Sequence, residues 1–296
     1  MNDVVIIGGS FAGLAAALQL GRARRKVTVL DTGLPRNRFA RHSHGFLGHD
    51  HKQPGDILAA ARQQLARYET VKLVSGRATA ITGDLDAFRI ETQGGPTYDG
   101  RRVLLSYGLA DRMPDIAGFA ACWGQSIVPC PYCDGFEVAG RHWGLVYSGP
   151  MSQHMVSLYG DWTDRITVFA NGHKLDGEAR ADLEARKATL VEGPISAISH
   201  ADGQIETVDL ADGRRIGVDV LFAHPGFAPA ADLHVGLGLQ LTETPLGAVL
   251  KTDERRETSV RGIYAAGDLA NPMASVTLAA SAGMMAAVFA QQSMLR

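Results

Sequence analysis

The chain has 296 residues, 46% of them hydrophobic, enough to build the core of two ordinary domains or one large one. Lys and Arg total 29 and Asp and Glu total 31, so the formal charge is -2 at pH 7, and neither nucleic acid nor an anionic membrane surface is expected as a partner. The apolar stretches are too short or too interrupted by glycine to span a membrane, and no secretory signal pattern precedes the first strand, so the expected compartment is the cytoplasm.

The first predicted elements are a strand, a tight turn and a helix. The β-branched run Val4–Ile7 leads into a glycine-rich turn, and helix formers follow over Leu14–Leu20. A glycine permits the turn, another permits close packing of helix on strand, and the amides at the helix start can face a pyrophosphate. Ser10 stands where the fingerprint usually has its second glycine. The candidate phosphate-binding residues are Gly8, Ser10, Phe11, Ala12 and Gly13.

The second predicted strand, Lys26–Leu30, ends at an acidic residue. Asp31 lies 18 positions after Gly13, where a carboxylate can accept hydrogen bonds from ribose hydroxyls. Strand, turn, helix, strand and acid together predict a nucleotide-binding βαβ unit. Arg36 and Arg38 follow and are either phosphate ligands or solvated side chains.

A histidine-rich loop comes next, with His42, His44, His49 and His51 forming two His-x-His pairs. Taken alone, such pairs could hold a metal ion. Loop histidines more often contact a ligand or solvent, so the pattern favours cofactor or substrate binding, and no metal site is predicted.

The segment Cys130-Pro131-Tyr132-Cys133-Asp134 carries the strongest chemical signal. Two thiols at this spacing can interconvert between dithiol and disulfide, and the adjacent carboxylate can move the proton. The alternative is zinc, but a tetrahedral zinc site needs four ligands and the chain has one such pair. Cys130, Cys133 and Asp134 are therefore the candidate catalytic residues.

A second fingerprint is expected after the Cys pair, and its first glycine position holds Tyr147. A bulky side chain there conflicts with the positive dihedral angle or the close approach that glycine allows. The next strand, Arg165–Phe169, ends without an acid that would select NADH. Neither NADPH nor NADH has a standard site. The alternative is divergent NADPH binding with His173, Lys174 or Arg165 at the phosphate.

A late strand runs into Gly-Asp at Tyr264–Asp268. With the early fingerprint, the strand Val103–Gly108, and the Cys-x-x-Cys-Asp-Gly segment, the sequence resembles the FAD-dependent pyridine nucleotide-disulfide oxidoreductases, and the low-molecular-weight thioredoxin reductases in particular. The resemblance spans nearly the whole chain and implies bound FAD, with Asp268 on the ribityl chain. It also implies that Gly108 and Gly267 lie at the cofactor.

The resemblance further implies an α/β fold with two Rossmann-like nucleotide-binding domains, the second inserted into the first, in three ββα layers. Residues 1–112 and 224–296 would form the discontinuous FAD domain, and 113–223 the inserted NADPH-domain-like region with the Cys pair. Homodimers are usual in the family.

The same resemblance implies roles for individual residues. Cys133 would lie against the flavin ring, Cys130 would exchange with the substrate, and Asp134 would be the acid and base. The histidine loop would approach the flavin through His44 and Gly45. The basic cluster with which thioredoxin reductases grip NADPH is missing after the strand that ends at residue 169.

Three functions fit these patterns. The first is a dithiol oxidase that closes a disulfide in a small molecule and passes the electrons through FAD to O2, without NADPH; the apolar stretch Met273–Thr277 is consistent with a small substrate. The second is a reductase that draws on NADPH or another donor and acts on a thioredoxin-like protein. The third is a nonenzymatic flavoprotein, against which the retained Cys pair and Asp134 argue.

Overall fold

The computed structural model describes residues 1–295, and the backbone divides into two compact units. The first unit contains residues 1–38, 54–111 and the chain from 227 onward. The second contains 39–53 and 112–226. The expected discontinuous arrangement did not include the grouping of loop 39–53 with the second unit.

The strands are β1 (Asn2–Ile7), β2 (Val27–Asp31), β3 (Val71–Ser75), β4 (Ala78–Thr82), β5 (Phe88–Thr92), β6 (Tyr98–Leu105), β7 (Leu109–Arg112), β8 (Ile127–Val128), β9 (Trp143–Val146), β10 (Ile166–Phe169), β11 (Thr189–Val191), β12 (Ile195–Ala201), β13 (Gln204–Leu210), β14 (Arg215–Gly217), β15 (Val220–Phe222), β16 (Gly226–Pro229), β17 (Leu241–Thr244), β18 (Gly247–Leu250) and β19 (Ile263–Ala265). The α-helices are α1 (Phe11–Arg22), α2 (Pro54–Leu65), α3 (Phe119–Cys122), α4 (Pro131–Asp134), α5 (Met151–Tyr159), α6 (Gly177–Ala185), α7 (Leu233–Gly236) and α8 (Val276–Gln292). Short 3-10 helices occupy Arg36–Phe39 and Gly267–Ala270.

The first unit is built on a seven-stranded sheet in the order β3-β2-β1-β6-β5-β4, with β19 on the second half of β6. β1, β2, β3, β6 and β19 are parallel, while β4 and β5 pair antiparallel. Because the carboxyl ends of parallel strands share one edge, the turn after β1, Asp31 at the end of β2, and the turn after β19 all come to that edge. A smaller sheet, β17-β18-β16-β7, is also present.

Both faces of the large sheet are covered. Along β1, Val4 and Ile6 pack into one core with residues of α1 and α8, whereas Val5 and Ile7 pack into another with residues of β4, β5 and β6. A parallel strand buried on two faces is a continuous apolar run, as at Val4–Ile7.

The second unit has a five-stranded parallel sheet in the order β11-β10-β9-β15-β8, together with an antiparallel sheet of β12, β13 and β14. Trp143 on β9 is fully buried among Tyr159, Trp162 and Phe222. The mixed α/β fold with two Rossmann-like units confirms the predicted class. Among the residues described, no helix is both long and apolar enough to cross a membrane.

Candidate nucleotide-binding and redox sites

The turn after β1 is built for close approach of helix and strand. Gly8 has φ +106°, and a Cβ added to it would lie 2.3 Å from the carbonyl oxygen of Ser106. A Cβ at Gly13 would lie 1.8 Å from the carbonyl oxygen of Gly8. Ser106 stabilises the same turn, since its hydroxyl donates to the carbonyl of Gly8 at 2.8 Å. Glycine is therefore required at both positions, as the fingerprint predicts.

Ser10 begins α1 as an extended N-cap residue without a side-chain cap bond. The candidates Phe11 and Ala12 are the first two residues of α1, so both lie at the start of this helix. Helix amides and the positive end of the helix dipole suit a pyrophosphate. A Cβ at Gly267 would meet the Ala12 Cβ at 3.0 Å, so the turn after β19 packs on the start of α1.

Asp31 lies at the end of β2 and holds the turn from the other side. Its Oδ1 accepts from the Gly9 amide at 3.1 Å, and its Oδ2 accepts from Arg62 at 3.0 Å. A carboxylate has about four lone-pair sites, so it retains capacity for a ribose hydroxyl. The Arg62 contact comes from α2, and no motif indicated it.

Asp268 follows β19 and belongs to a charged cluster. Arg36 donates from Nη1 to Asp268 at 3.1 Å and from Nε to both carboxylate oxygens of Asp111, at 3.1 and 3.2 Å. Burial raises the pKa of Asp268, and the charge and hydrogen bond of Arg36 oppose that shift. Arg36 thus binds two carboxylates, a role that differs from the phosphate contact considered for it.

The remaining candidates of the first unit are Gly108 and Arg38. Gly108, after β6, has φ +74°, and a Cβ there would meet open space. Arg38 donates to the carbonyl of Pro35 at 3.0 Å. The glycine turn, the helix amides, Asp31 and Asp268 match the donor and acceptor groups of a dinucleotide, so the residues present fit FAD.

The Cys pair lies in the second unit at the start of α4. Cys130 is the extended N-cap residue, and Pro131 occupies the first helical position, where its missing N–H is not needed. A hydrogen bond from the Cys133 thiol lowers the pKa of Cys130 to about 7, and the amides of Cys133 and Tyr132 add to this effect. A lowered pKa suits Cys130, rather than Cys133, to be the nucleophilic thiolate of the pair near neutral pH.

The pKa of Cys133 is shifted in the opposite direction, upward. The largest cause is its hydrogen bond to Cys130, and burial and the charge of Cys130 raise the pKa further. Burial, followed by the charge of Glu137, raises the pKa of Asp134 to about 6. A carboxyl with a pKa near 6 exchanges protons readily at neutral pH, which suits a general acid and base.

Aromatic side chains flank the pair. The ring of Tyr132 meets Trp162 edge-on at 5.6 Å, and a Cβ at Gly135 would lie 2.4 Å from the Pro131 carbonyl oxygen. Tyr132 is 71% exposed and Phe136 is 80% exposed. The candidate redox pair thus has two exposed aromatic rings beside it.

The second unit repeats the βαβ geometry with different residues. The Gly8 amide donates to Leu30 at 2.8 Å, and the Tyr147 amide donates to Phe169 at 2.9 Å, so Tyr147 takes the place of Gly8. Tyr147 is not in the positive-φ region; that conformation falls instead on Gly149, at +122°. The expected conflict at Tyr147 is thus avoided by moving the left-handed residue two positions along the turn.

The same register places Ala170 where the first unit has Asp31. In the first unit the Gly9 amide donates a hydrogen bond to the Asp31 carboxylate. In the second unit the equivalent amide, that of Ser148, donates to the Ser152 hydroxyl of α5 at 2.9 Å. At the position of Asp31 the second unit therefore has no carboxylate for a ribose. The hydroxyl of Ser152, at the start of α5, accepts the hydrogen bond of the turn amide in its place.

His44 and Gly45 belong to the second unit with the rest of loop 39–53. The Gly45 amide donates to Asp50 at 2.9 Å, and the His44 Nδ1 atom lies 3.4 Å from a carboxylate oxygen of Glu137. The His44 ring lies near those of His42 and His51, with ring centroids 6.2 and 4.8 Å away, whereas the His49 ring stacks on Phe46. The contact of His44 and Gly45 with a flavin stays a prediction.

Comparison with known proteins agrees with this construction. The family model described as pyridine nucleotide-disulphide oxidoreductase matches residues 2–292. The chain is 36% identical to thioredoxin reductase sirT of Leptosphaeria maculans, over 96% of this chain and 91% of that protein, and 33% identical to thioredoxin reductase tcpT of Claviceps purpurea, over 99% and 94%. A crystal structure of an oxidoreductase from Agrobacterium tumefaciens superposes with a TM-score of 0.93 at 42% identity, covering 99% of this chain and 98% of that one.

The chain therefore belongs to the pyridine nucleotide-disulphide oxidoreductase family. It is a thioredoxin reductase-like, FAD-dependent thiol-disulfide oxidoreductase, as the sequence predicted.

Proposed function

We propose that the protein is a dithiol oxidase, which converts a small dithiol to its disulfide and delivers the electrons through FAD to O2. The observation that carries this proposal is the second βαβ unit. There Tyr147 replaces the first glycine, Ala170 replaces the ribose-binding acid, and Ser152 satisfies the turn amide. The ring of Tyr147 also packs edge-on to His173 at 5.5 Å, which engages one of the side chains considered for a divergent phosphate site.

The proposed reaction begins with the enzyme disulfide. One substrate thiolate attacks the sulfur of Cys130, and the Cys130–Cys133 bond breaks. The second substrate thiol then displaces Cys130, closing the substrate disulfide and leaving the enzyme dithiol. A thiol with a pKa of about 7 is a good leaving group, which supports Cys130 in this position. Asp134 accepts a substrate proton.

FAD held by the glycine turn, Asp31 and Asp268 would supply the two-electron acceptor that lets the enzyme dithiol return to the disulfide, with O2 as the final oxidant and H2O2 as the product after uptake of two protons. Cys133 is the thiol that gives up these electrons. The exposed rings of Tyr132 and Phe136 support a small, partly apolar substrate. We place the enzyme in the cytoplasm as a homodimer, in keeping with its family.

The second candidate is a disulfide reductase that takes electrons from NADPH or another donor. It is favoured by the names of the relatives, which are thioredoxin reductases. The two candidates use the same residues and differ in the electron donor and the direction of flow. A thioredoxin-like protein would then be the partner.

The test is anaerobic reduction of the FAD-loaded protein, followed through the flavin band at about 450 nm. Dithiothreitol, NADPH and NADH are added separately. The oxidase proposal expects bleaching by dithiothreitol alone, and air should then restore the band with one H2O2 per flavin. Bleaching by NADPH as fast as by dithiothreitol would overturn it in favour of the reductase. The matched control is Cys133→Ser, which should keep FAD bound and remain yellow with dithiothreitol.

A further inference from the structure

The loop 43–52 is closed at its base. Ser43 and Lys52 form an antiparallel bridge, with the Ser43 amide donating to the Lys52 carbonyl at 2.8 Å. His44 and His51 are the residues just inside this bridge, and their rings meet edge-on at 4.8 Å. Backbone closure therefore holds two imidazoles side by side before any ligand arrives.

Asp50 completes a three-residue group with these histidines. The His51 Nε2 atom lies 3.3 Å from Asp50 Oδ2, and the His44 Nδ1 atom lies 3.9 Å from Asp50 Oδ1. One potential ligand atom from each residue lies within 4.8 Å of the others. A tetrahedral ion with bonds of about 2.0–2.1 Å separates its ligand atoms by about 3.3–3.4 Å, so a small movement of His44 brings this group to that spacing.

A second carboxylate faces the group from outside the loop. Glu137 follows α4, and its Oε1 atom lies 3.4 Å from the His44 Nδ1 atom. Two carboxylates and two neutral imidazoles carry a charge of about −2, which a divalent cation neutralises. The Asp50 carboxylate is also oriented by the Gly45 amide at 2.9 Å, and a hydrogen bond of this kind fixes a ligand for its metal.

Direct hydrogen bonds between these groups explain the arrangement less well. The nitrogen–oxygen separations of 3.3, 3.4 and 3.9 Å exceed those of typical hydrogen bonds, about 2.7–3.2 Å. His44 presents a single nitrogen to two carboxylates, and a nitrogen can donate only one proton. A shared cation between the nitrogen and the oxygens satisfies all of them.

We propose that His44, Asp50 and His51 bind one divalent transition-metal ion of the zinc class, with Glu137 beside the site. Imidazole and carboxylate are ligands that zinc accepts, and the mixed set favours it over calcium or magnesium, which prefer oxygen alone. The site differs from the redox pair and uses none of its residues. It also departs from the expectation that the loop holds no metal.

The test is isothermal titration of ZnCl2 into the FAD-loaded protein. Because reduced cysteines also bind zinc, the background is Cys130→Ser/Cys133→Ser. We expect one equivalent of zinc bound, no binding in the His44→Ala/His51→Ala variant, and about 10–100-fold weaker binding in Asp50→Asn. Far-UV circular dichroism of each variant reports whether the protein remains folded.

The matched control is His42→Ala, which removes an exposed histidine just before the loop. The His42 ring lies 6.2 Å from that of His44, but His42 is not a member of the three-residue group. It should bind zinc as the background protein does. Equal loss of affinity in His42→Ala would overturn the ligand assignment. Full binding in the His44→Ala/His51→Ala variant, or no heat at about 100 μM zinc in the background protein, would overturn the site itself.

Discussion

Replacing Asp134 with Asn should slow dithiol turnover while making the folded protein more stable at neutral pH. The two effects have one origin, the position of a carboxyl group where burial and then Glu137 raise its pKa from 3.8 to about 6. As a base for the substrate thiol the carboxyl must be ionised, so kcat/KM of the native enzyme should rise through about pH 6. Without the proton carrier, turnover should fall by roughly 10²–10⁴-fold and that limb should disappear.

The stability effect follows from the same pKa. A carboxyl whose folded pKa is raised contributes stability that is present below about pH 4 and is lost as pH rises through about 6. A shift of about two units corresponds to about 3 kcal/mol, of which about half develops between pH 5 and 7.5. The Asn side chain does not ionise, so the variant avoids this loss.

The assay compares the native protein and Asp134→Asn by urea unfolding at pH 5 and at pH 7.5, and by dithiol turnover across the same range. The gain in stability of the variant should be larger at pH 7.5. If the gain in stability is equal at both pH values, burial does not raise the pKa of Asp134. If turnover and its pH limb are unchanged, another group carries the proton.

Three further outcomes are expected. Arg36→Gln should weaken FAD binding by at least about tenfold, because it leaves the half-buried Asp268 without its cationic partner. Adding Asp268→Asn should weaken binding little further, whereas additive losses of affinity would show that the two residues act separately. The alkylation of Cys130 by iodoacetamide in the reduced protein should rise with a midpoint near pH 7, and a midpoint near 9 would contradict its thiolate character. Gly13→Ala should lose FAD or destabilise the fold by about 3 kcal/mol, measured by flavin content and thermal unfolding. The control is Gly55→Ala in α2, where a Cβ meets open space; it should keep FAD and should not lower stability, and a yellow, stable Gly13→Ala protein would refute the close-packing argument.

The local elements of the fold and of the candidate site could be predicted from the sequence. The run from Val4 to Asp31 predicted strand, turn, helix and acid, and the structure has β1, α1 and β2 in those places. The pair at Cys130 and Cys133 likewise predicted redox chemistry. These signals are local. A few neighbouring residues specify a turn that needs glycine, and a few specify a short helix that carries two cysteines.

The tertiary structure decided what distant segments do to each other within each unit. Arg36 and Asp268 are 232 positions apart in the chain, and only the sheet order brings them to one edge. The fold likewise places Glu137 beside His44. It also shows that Ala170 takes, in the second unit, the position that Asp31 has in the first.

By itself, the sequence determined the βαβ fingerprint and the family, and it predicted redox chemistry at the Cys pair. The charge partners, the shifted pKa values and the group formed by His44, Asp50 and His51 came only from the fold. The physical reason is that backbone preference and residue spacing act over a few positions, whereas burial and charge pairing depend on which surfaces pack together.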